Sequence, residues 1–99
     1  MPEYTISTAD GDAWPALGAG LAAVLQPRSR QCEILQDDAL LRLRTEGTDV
    51  EASWELAGTW YVYVEGAPSL EAADQMVNEM AAQLGEATGK QAVHHRITD

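Results

Sequence analysis

Two runs in the middle of the chain leave little freedom of fold. Val50, Ala52, Trp54 and Leu56 alternate with Glu51, Ser53 and Glu55, and then Trp60, Val62 and Val64 alternate with Tyr61, Tyr63 and Glu65. A period of two marks a strand with one face buried, so the runs predict two antiparallel strands side by side. Parity decides how they connect. A two-residue loop sets Trp54 opposite Tyr61 and Glu55 opposite Trp60, which mixes the faces; an odd loop such as Ala57-Gly58-Thr59 sets Leu56 against Trp60 and Trp54 against Val62. The odd loop is the expectation, and it places Glu51, Glu55, Tyr61, Tyr63 and Glu65 on the outward face.

The segment from Gln31 to Glu65 extends this pattern into a four-strand meander, with turns at Asp37-Asp38, around Gly47 and at Ala57-Gly58. A two-residue turn at Asp37-Asp38 sets Ile34 across from Leu41 and Cys32 across from Leu43, with Glu33 facing Arg42 and Gln31 facing Arg44 on the other side. Residues 3–8 supply a short strand through the alternation of Tyr4, Ile6 and Thr8. Residues 91–98 supply another, with Val93 and Ile97 on one face and His94 on the other.

Two helical stripes complete the chain. Trp14, Leu17, Leu21, Val24 and Leu25 share one side of a helix over about 12–26, capped by Asp12, tolerant of Pro15 in its first turn and stopped by Pro27. Gly18 and Gly20 cost that helix about 1 kcal/mol each against Ala, which suits a close backbone approach to a sheet. Ser69 caps a second helix over 69–85, in which Leu70, Ala73, Met76, Val77, Met80, Ala81 and Leu84 make the apolar stripe. Glu71, Gln75, Asn78, Glu79 and Gln83 point away from it, and Gly85 ends it. This order of elements predicts an α+β fold: a two-layer sandwich whose mainly antiparallel sheet joins the meander 31–65 to the N- and C-terminal strands, with both helices on one face.

Residues 1–99 fit a single acidic domain, without repeat, low-complexity stretch or linker. The apolar run from Trp14 to Leu25 follows Glu3, Asp10 and Asp12 rather than a basic segment and is too short to span a bilayer, so it reads as a docking helix and not as a targeting or membrane segment. A lone Cys32 has no internal disulfide partner, which fits a reducing compartment, and the expected location is cytoplasmic.

Few residues arrange themselves for chemistry. His94 and His95, adjacent on a strand, point to opposite faces and do not chelate one ion together. Cys32, expected among Ile34, Leu41 and Leu43, lacks the basic surroundings of a nucleophilic thiolate. Gly18-Ala19-Gly20 lies within a helical stripe and not between a strand and a helix, so it makes no phosphate cradle. Met76 and Met80 read as core, and Arg28 and Arg30 as exposed loop residues. No catalytic residue, metal site or cofactor is expected, and the chain reads as a non-enzyme.

Charge carries the functional expectation. The formal net charge is −10, and between Arg44 and Lys90 the acids Glu46, Asp49, Glu51, Glu55, Glu65, Glu71, Asp74, Glu79 and Glu86 meet no basic residue. That excess disfavours direct nucleic-acid or membrane contact and favours a basic protein or complex as partner. Strand pairing answers Glu33 with Arg42 and sets Arg42 or Arg44 across from Glu51, which leaves Glu55, Glu65 and the acids of the second helix unanswered. The expected partner-binding residues are therefore Glu51, Glu55, Tyr61, Tyr63 and Glu65, with Glu71, Glu79 and Glu86 as a second ridge. The corresponding expectation is a small binding or inhibitory protein that occupies a basic, nucleic-acid-binding site by charge mimicry, for example on a nuclease, a restriction or CRISPR complex, or a basic toxin. Two alternatives stand beside it. One is a ligand-binding protein or enzyme, dimeric in one form, with Trp14, Trp54 or Trp60 lining a cavity between helices and sheet; the other is an acidic accessory subunit of a larger complex.

Overall fold

The computed structural model describes residues 2–15, 17, 20–55 and 58–98. Its strands are β1 (Glu3–Thr8), β2 (Glu33–Asp37), β3 (Leu40–Thr45), β4 (Thr48–Trp54), β5 (Trp60–Glu65) and β6 (Ala92–Thr98), and its helices are α1 (Leu21–Leu25) and α2 (Leu70–Thr88). The strands form one antiparallel sheet in the order β2-β3-β4-β5-β1-β6. Both helices cover one face, giving the two-layer α+β arrangement that the periodicities predict. Tyr4, Ile6, Leu41, Leu43, Val50, Ala52, Trp60, Val62 and Val64 from the strands meet Leu21, Leu25, Ala73, Met76, Val77, Met80 and Leu84 from the helices in one buried cluster. The N-terminal strand is central: β1 lies between β5 and β6, so the meander fills only one side of the sheet.

The β4–β5 connection is odd, and every face falls as the alternation requires. Its register differs by two residues from the expectation, with Trp54 opposite Trp60 and Ala52 opposite Val62. The loop therefore spans 55–59, closed where Glu55 N donates to Thr59 O (2.9 Å). The expected partner of Trp60, Leu56, lies outside the described residues. Between β3 and β4, Glu46 (φ 51°) and Gly47 (φ 79°) make a two-residue turn with both φ positive, the primed type that matches strand twist.

The first hairpin departs from its expected pairing. Ile34 lies opposite Leu43 rather than Leu41, Glu33 opposite Arg44 rather than Arg42, and a bulge between Ile34 and Gln36 takes up the extra residue. The turn sits at Asp38 and Ala39, where the Asp38 carboxylate accepts from Leu40 N (3.1 Å). Asp37 instead reaches across to α1 and accepts from Leu21 N (2.8 Å) and Ala22 N (3.4 Å). Cys32 precedes β2 and is half-buried against the core.

Helix α1 is also shorter than its apolar stripe. It begins at Leu21 because Gly20 adopts φ 89°, a left-handed conformation that a right-handed helix does not continue. Asp12 accordingly caps no helix; its backbone carbonyl accepts from the Thr8 hydroxyl. Trp14 is held elsewhere, its indole donating to Ile6 O (2.9 Å) and its backbone N to Gly58 O (2.9 Å).

Helix α2 starts where expected, with the Ser69 hydroxyl accepting from Ala72 N (3.1 Å), but runs past Gly85 to a left-handed cap at Gly89. Gly85 serves close approach, since a Cβ there would stand 2.7 Å from Lys90 O on the returning chain. Gln83 does not point away. It is buried, donating to Val24 O (2.7 Å) and Gln26 O (2.8 Å) and accepting from Arg28 N (3.0 Å), and so ties α2 to the end of α1.

Candidate functional site

Strand alternation builds the site on the sheet face away from the helices. Reading across the register, one row runs Arg42, Glu51, Tyr63, Glu3, and the next runs Leu40, Ser53, Tyr61, Thr5, His95. Asp49 faces both Arg44 and Glu65 in a third row. The five residues expected on this face, Glu51, Glu55, Tyr61, Tyr63 and Glu65, thus gather at β4 and β5. Glu55 follows the end of β4 and accepts from the Ser53 hydroxyl (3.2 Å). A shallow hollow of about 70 Å³ between Leu35 and Tyr63 is edged by Arg42, Asp49, Glu51 and Glu65.

The tyrosines register this negative field. Tyr61 donates its hydroxyl to Glu3, and that bond, then burial, then the charges of Glu3, Tyr63 and Glu55 push its phenol up to about 12. Tyr63 is also raised, first by burial and then by the charges of Glu65, Glu3 and Glu51. Burial and the neighbouring carboxylates thus act in the same direction on both phenols, each disfavouring a further negative charge here.

The second ridge lies apart, on the helix layer. Glu71 is exposed in the first turn of α2. Glu79 accepts from Ser29 N (2.9 Å) and from its hydroxyl (2.6 Å), the hydroxyl bond holding its carboxyl below the usual glutamate range. Glu86 pairs with Arg28 (3.4 Å). The eight expected binding residues therefore divide between opposite faces of the molecule, five on the sheet and three on the helix.

Every basic side chain is already engaged. Arg28 pairs with Glu86, Arg30 with Glu46 (3.3 Å), Arg42 with Glu51 (3.9 Å), Arg44 with Asp49 (2.7 Å), Lys90 with Asp10 and Asp12 (3.7 and 3.8 Å), and Arg96 with Asp74 (3.2 Å). Exposed pairs of this kind are worth only about 0–1 kcal/mol each. Their consequence is electrostatic: Glu55, Glu65 and Glu71 have no cation within ion-pair distance among the described residues.

Glu3 and Asp49 complete the face, and neither was expected there. Asp49 was readable, because the two-residue turn at Glu46 and Gly47 sets Arg44 opposite Asp49. Glu3 was not, since nothing local shows that β1 docks beside β5. Of the tryptophans, Trp14 and Trp60 are core and Trp54 is 45% exposed at the end of β4. His94 and His95 occupy opposite faces of β6, across from Ile6 and Thr5. Burial raises the Cys32 thiol, which makes it a poor nucleophile. Among the described residues no helix is long and apolar enough to cross a membrane. No protein-family model, curated protein or solved structure matches the chain.

Proposed function

We propose that this chain is a non-enzymatic binding or inhibitory protein whose open sheet face occupies a basic, nucleic-acid-binding site on a partner protein. The observation that carries this reading is the pairing of all six Lys and Arg side chains, which leaves Glu55 and Glu65 beside Tyr61 and Tyr63 with no cation within ion-pair distance among the described residues. Same-face carboxylates on a strand stand about 7 Å apart and those on neighbouring strands about 5 Å apart, so the face offers a two-dimensional array of anions. Such an array attracts a cluster of Lys and Arg at long range, and the tyrosine rings add rigid surface and cation–π contact worth about 0.5–1 kcal/mol at an exposed site. Glu51 and Asp49 contribute less, because Arg42 and Arg44 partly answer them.

Capture from an extract of the native host at low ionic strength, with mass spectrometry of the retained proteins, tests this directly. A basic nucleic-acid-binding protein, displaced by added duplex DNA or RNA, is the expected result. Retention of a neutral or acidic protein, or of a basic one that nucleic acid does not displace, contradicts it.

A further inference from the structure

The carboxylates of the open sheet face that have no cation beside them stand at its margins, and aromatic rings fill the middle. Along β5 the outward residues are Tyr61, Tyr63 and Glu65, each about 7 Å from the next. Glu65 ends the strand. At the other end of the strip Glu55, just past β4, accepts from the hydroxyl of Ser53 (3.2 Å), the residue opposite Tyr61. Glu3 flanks Tyr63 from β1. The inner acids Glu51 and Asp49 are answered by Arg42 and Arg44. Two half-buried rings are thus bracketed by carboxylates, with exposed Glu55 and Glu65 at the ends.

The Tyr61 ring is held in one attitude. Its hydroxyl donates to Glu3, two residues along β1 from Thr5, its directly opposite partner. A ring that reaches a carboxylate diagonally across to the next strand leans over the sheet instead of standing up from it, and so turns one face outward. Its cross-strand neighbours Ser53 and Thr5 are too small to cover that face. Because the bond already fixes the ring, little rotamer freedom is lost when a partner group stacks on it.

A duplex is a poor model for such a face. It hides its ring faces in the stack and shows the outside one phosphate per about 3.4 Å of each strand. A single strand shows rings and phosphates together, and proteins that bind one combine cations for the backbone with aromatic side chains on which the bases stack. We infer that the partner's site is a single-strand nucleic-acid site, with Tyr61 and Tyr63 standing for bases and Glu55, Glu65 and Glu3 for phosphates. The inference rests on the reading of the open face as an anionic mimic, and adds the kind of site it fits: Lys and Arg set around exposed aromatic side chains.

Three peptides of equal charge probe the face: Lys-Trp-Lys-Trp-Lys, and the same sequence with Leu or with Ala in place of Trp. Their affinities for the full chain are measured by NMR titration at low and at higher salt. The Trp peptide is expected to bind about two- to tenfold more tightly than the Leu peptide, which matches it in charge and apolar character but cannot stack. The double variant Tyr61→Leu with Tyr63→Leu should erase that preference while all three peptides still bind, and all should weaken as salt rises. Equal affinity of the Trp and Leu peptides, or a preference that survives the double variant, overturns the single-strand inference and leaves the charge reading standing. Binding that ignores salt overturns the charge reading, and the inference with it. If the double variant misfolds by circular dichroism, the wild-type shift map decides: changes on binding the Trp peptide should centre on Tyr61 and Tyr63, and changes centred on α2 overturn the inference. With a captured partner, a single-stranded oligonucleotide should displace this chain at lower concentration than a duplex of the same length, and the reverse order overturns the inference.

Discussion

Replacing Gln83 is expected to cost far more than a surface glutamine should. Its amide makes three bonds to the 24–28 segment, two as donor and one as acceptor, from a buried position between the helices. At about 0.5–1.5 kcal/mol net per bond, and with the orphaned backbone groups near enough to the surface to regain some water, the loss comes to about 2–3 kcal/mol. Against a total stability of about 5–15 kcal/mol, that is a large fraction. For a domain of this size it lowers the melting temperature by roughly 10–20 °C. Gln83→Met is the sharper variant, since it keeps the volume and the apolar contacts and removes only the polar ones. Denaturant unfolding of wild type, Gln83→Met and Gln83→Ala measures the separation. If Gln83→Met unfolds at the wild-type midpoint, the bonds contribute nothing and the reasoning is wrong.

Gly85→Ala should lower the melting temperature, although the substitution is normally worth about 1 kcal/mol to a helix, because its Cβ would stand 2.7 Å from Lys90 O; a rise in melting temperature would show that the chain beyond the helix yields freely. Glu79 has a depressed pKa in the folded state, so its contribution is present above about pH 4.5 and is lost as pH falls through the folded value. Glu79→Gln should therefore flatten the acid limb of a plot of melting temperature against pH. Tyr61 is the opposite case: its raised pKa stabilises the fold below about pH 10, and that contribution disappears as pH rises toward about 12. Glu3→Gln should bring its phenol back toward 10 in an ultraviolet titration, and an unchanged curve would mean that the Tyr61–Glu3 bond is not formed.

Much of this fold is legible because burial enforces period. The alternation through Val50, Ala52, Trp60, Val62 and Val64 fixes which face is core whatever the loop length, and Ser69 with the Met76, Met80, Leu84 stripe marks α2. What parity does not determine is register along a strand. Trp54 pairs with Trp60 rather than Val62, and Ile34 with Leu43 rather than Leu41, because loop length and a bulge are set by backbone geometry that apolar patterning does not report. The stripe through Trp14, Leu17 and Leu21 misleads for a related reason. Trp14 is buried as a helix would bury it, but its indole bond to Ile6 O holds it there, and the helix begins only after the left-handed Gly20. Gln83 shows the limit of residue type as a guide: its stripe position looked outward until α1 covered it. The candidate face follows the same division, since Glu51, Tyr61, Tyr63 and Glu65 are read from alternation, whereas Glu3 joins them only through long-range pairing.

The most direct measurement is the affinity of a captured basic partner as a function of salt, for wild type, for the double variant Glu55→Lys with Glu65→Lys, and for Glu71→Lys on the helix layer. Between about 0.01 and 1 M salt the screening length falls from about 30 to about 3 Å, so wild-type binding should weaken steeply. The double variant should bind at least about tenfold more weakly at low salt, a loss of about 1.4 kcal/mol, with a shallower salt slope, while Glu71→Lys stays near wild type. Affinity that does not change with salt, or a Glu71→Lys loss equal to that of the double variant, would contradict binding through the open sheet face.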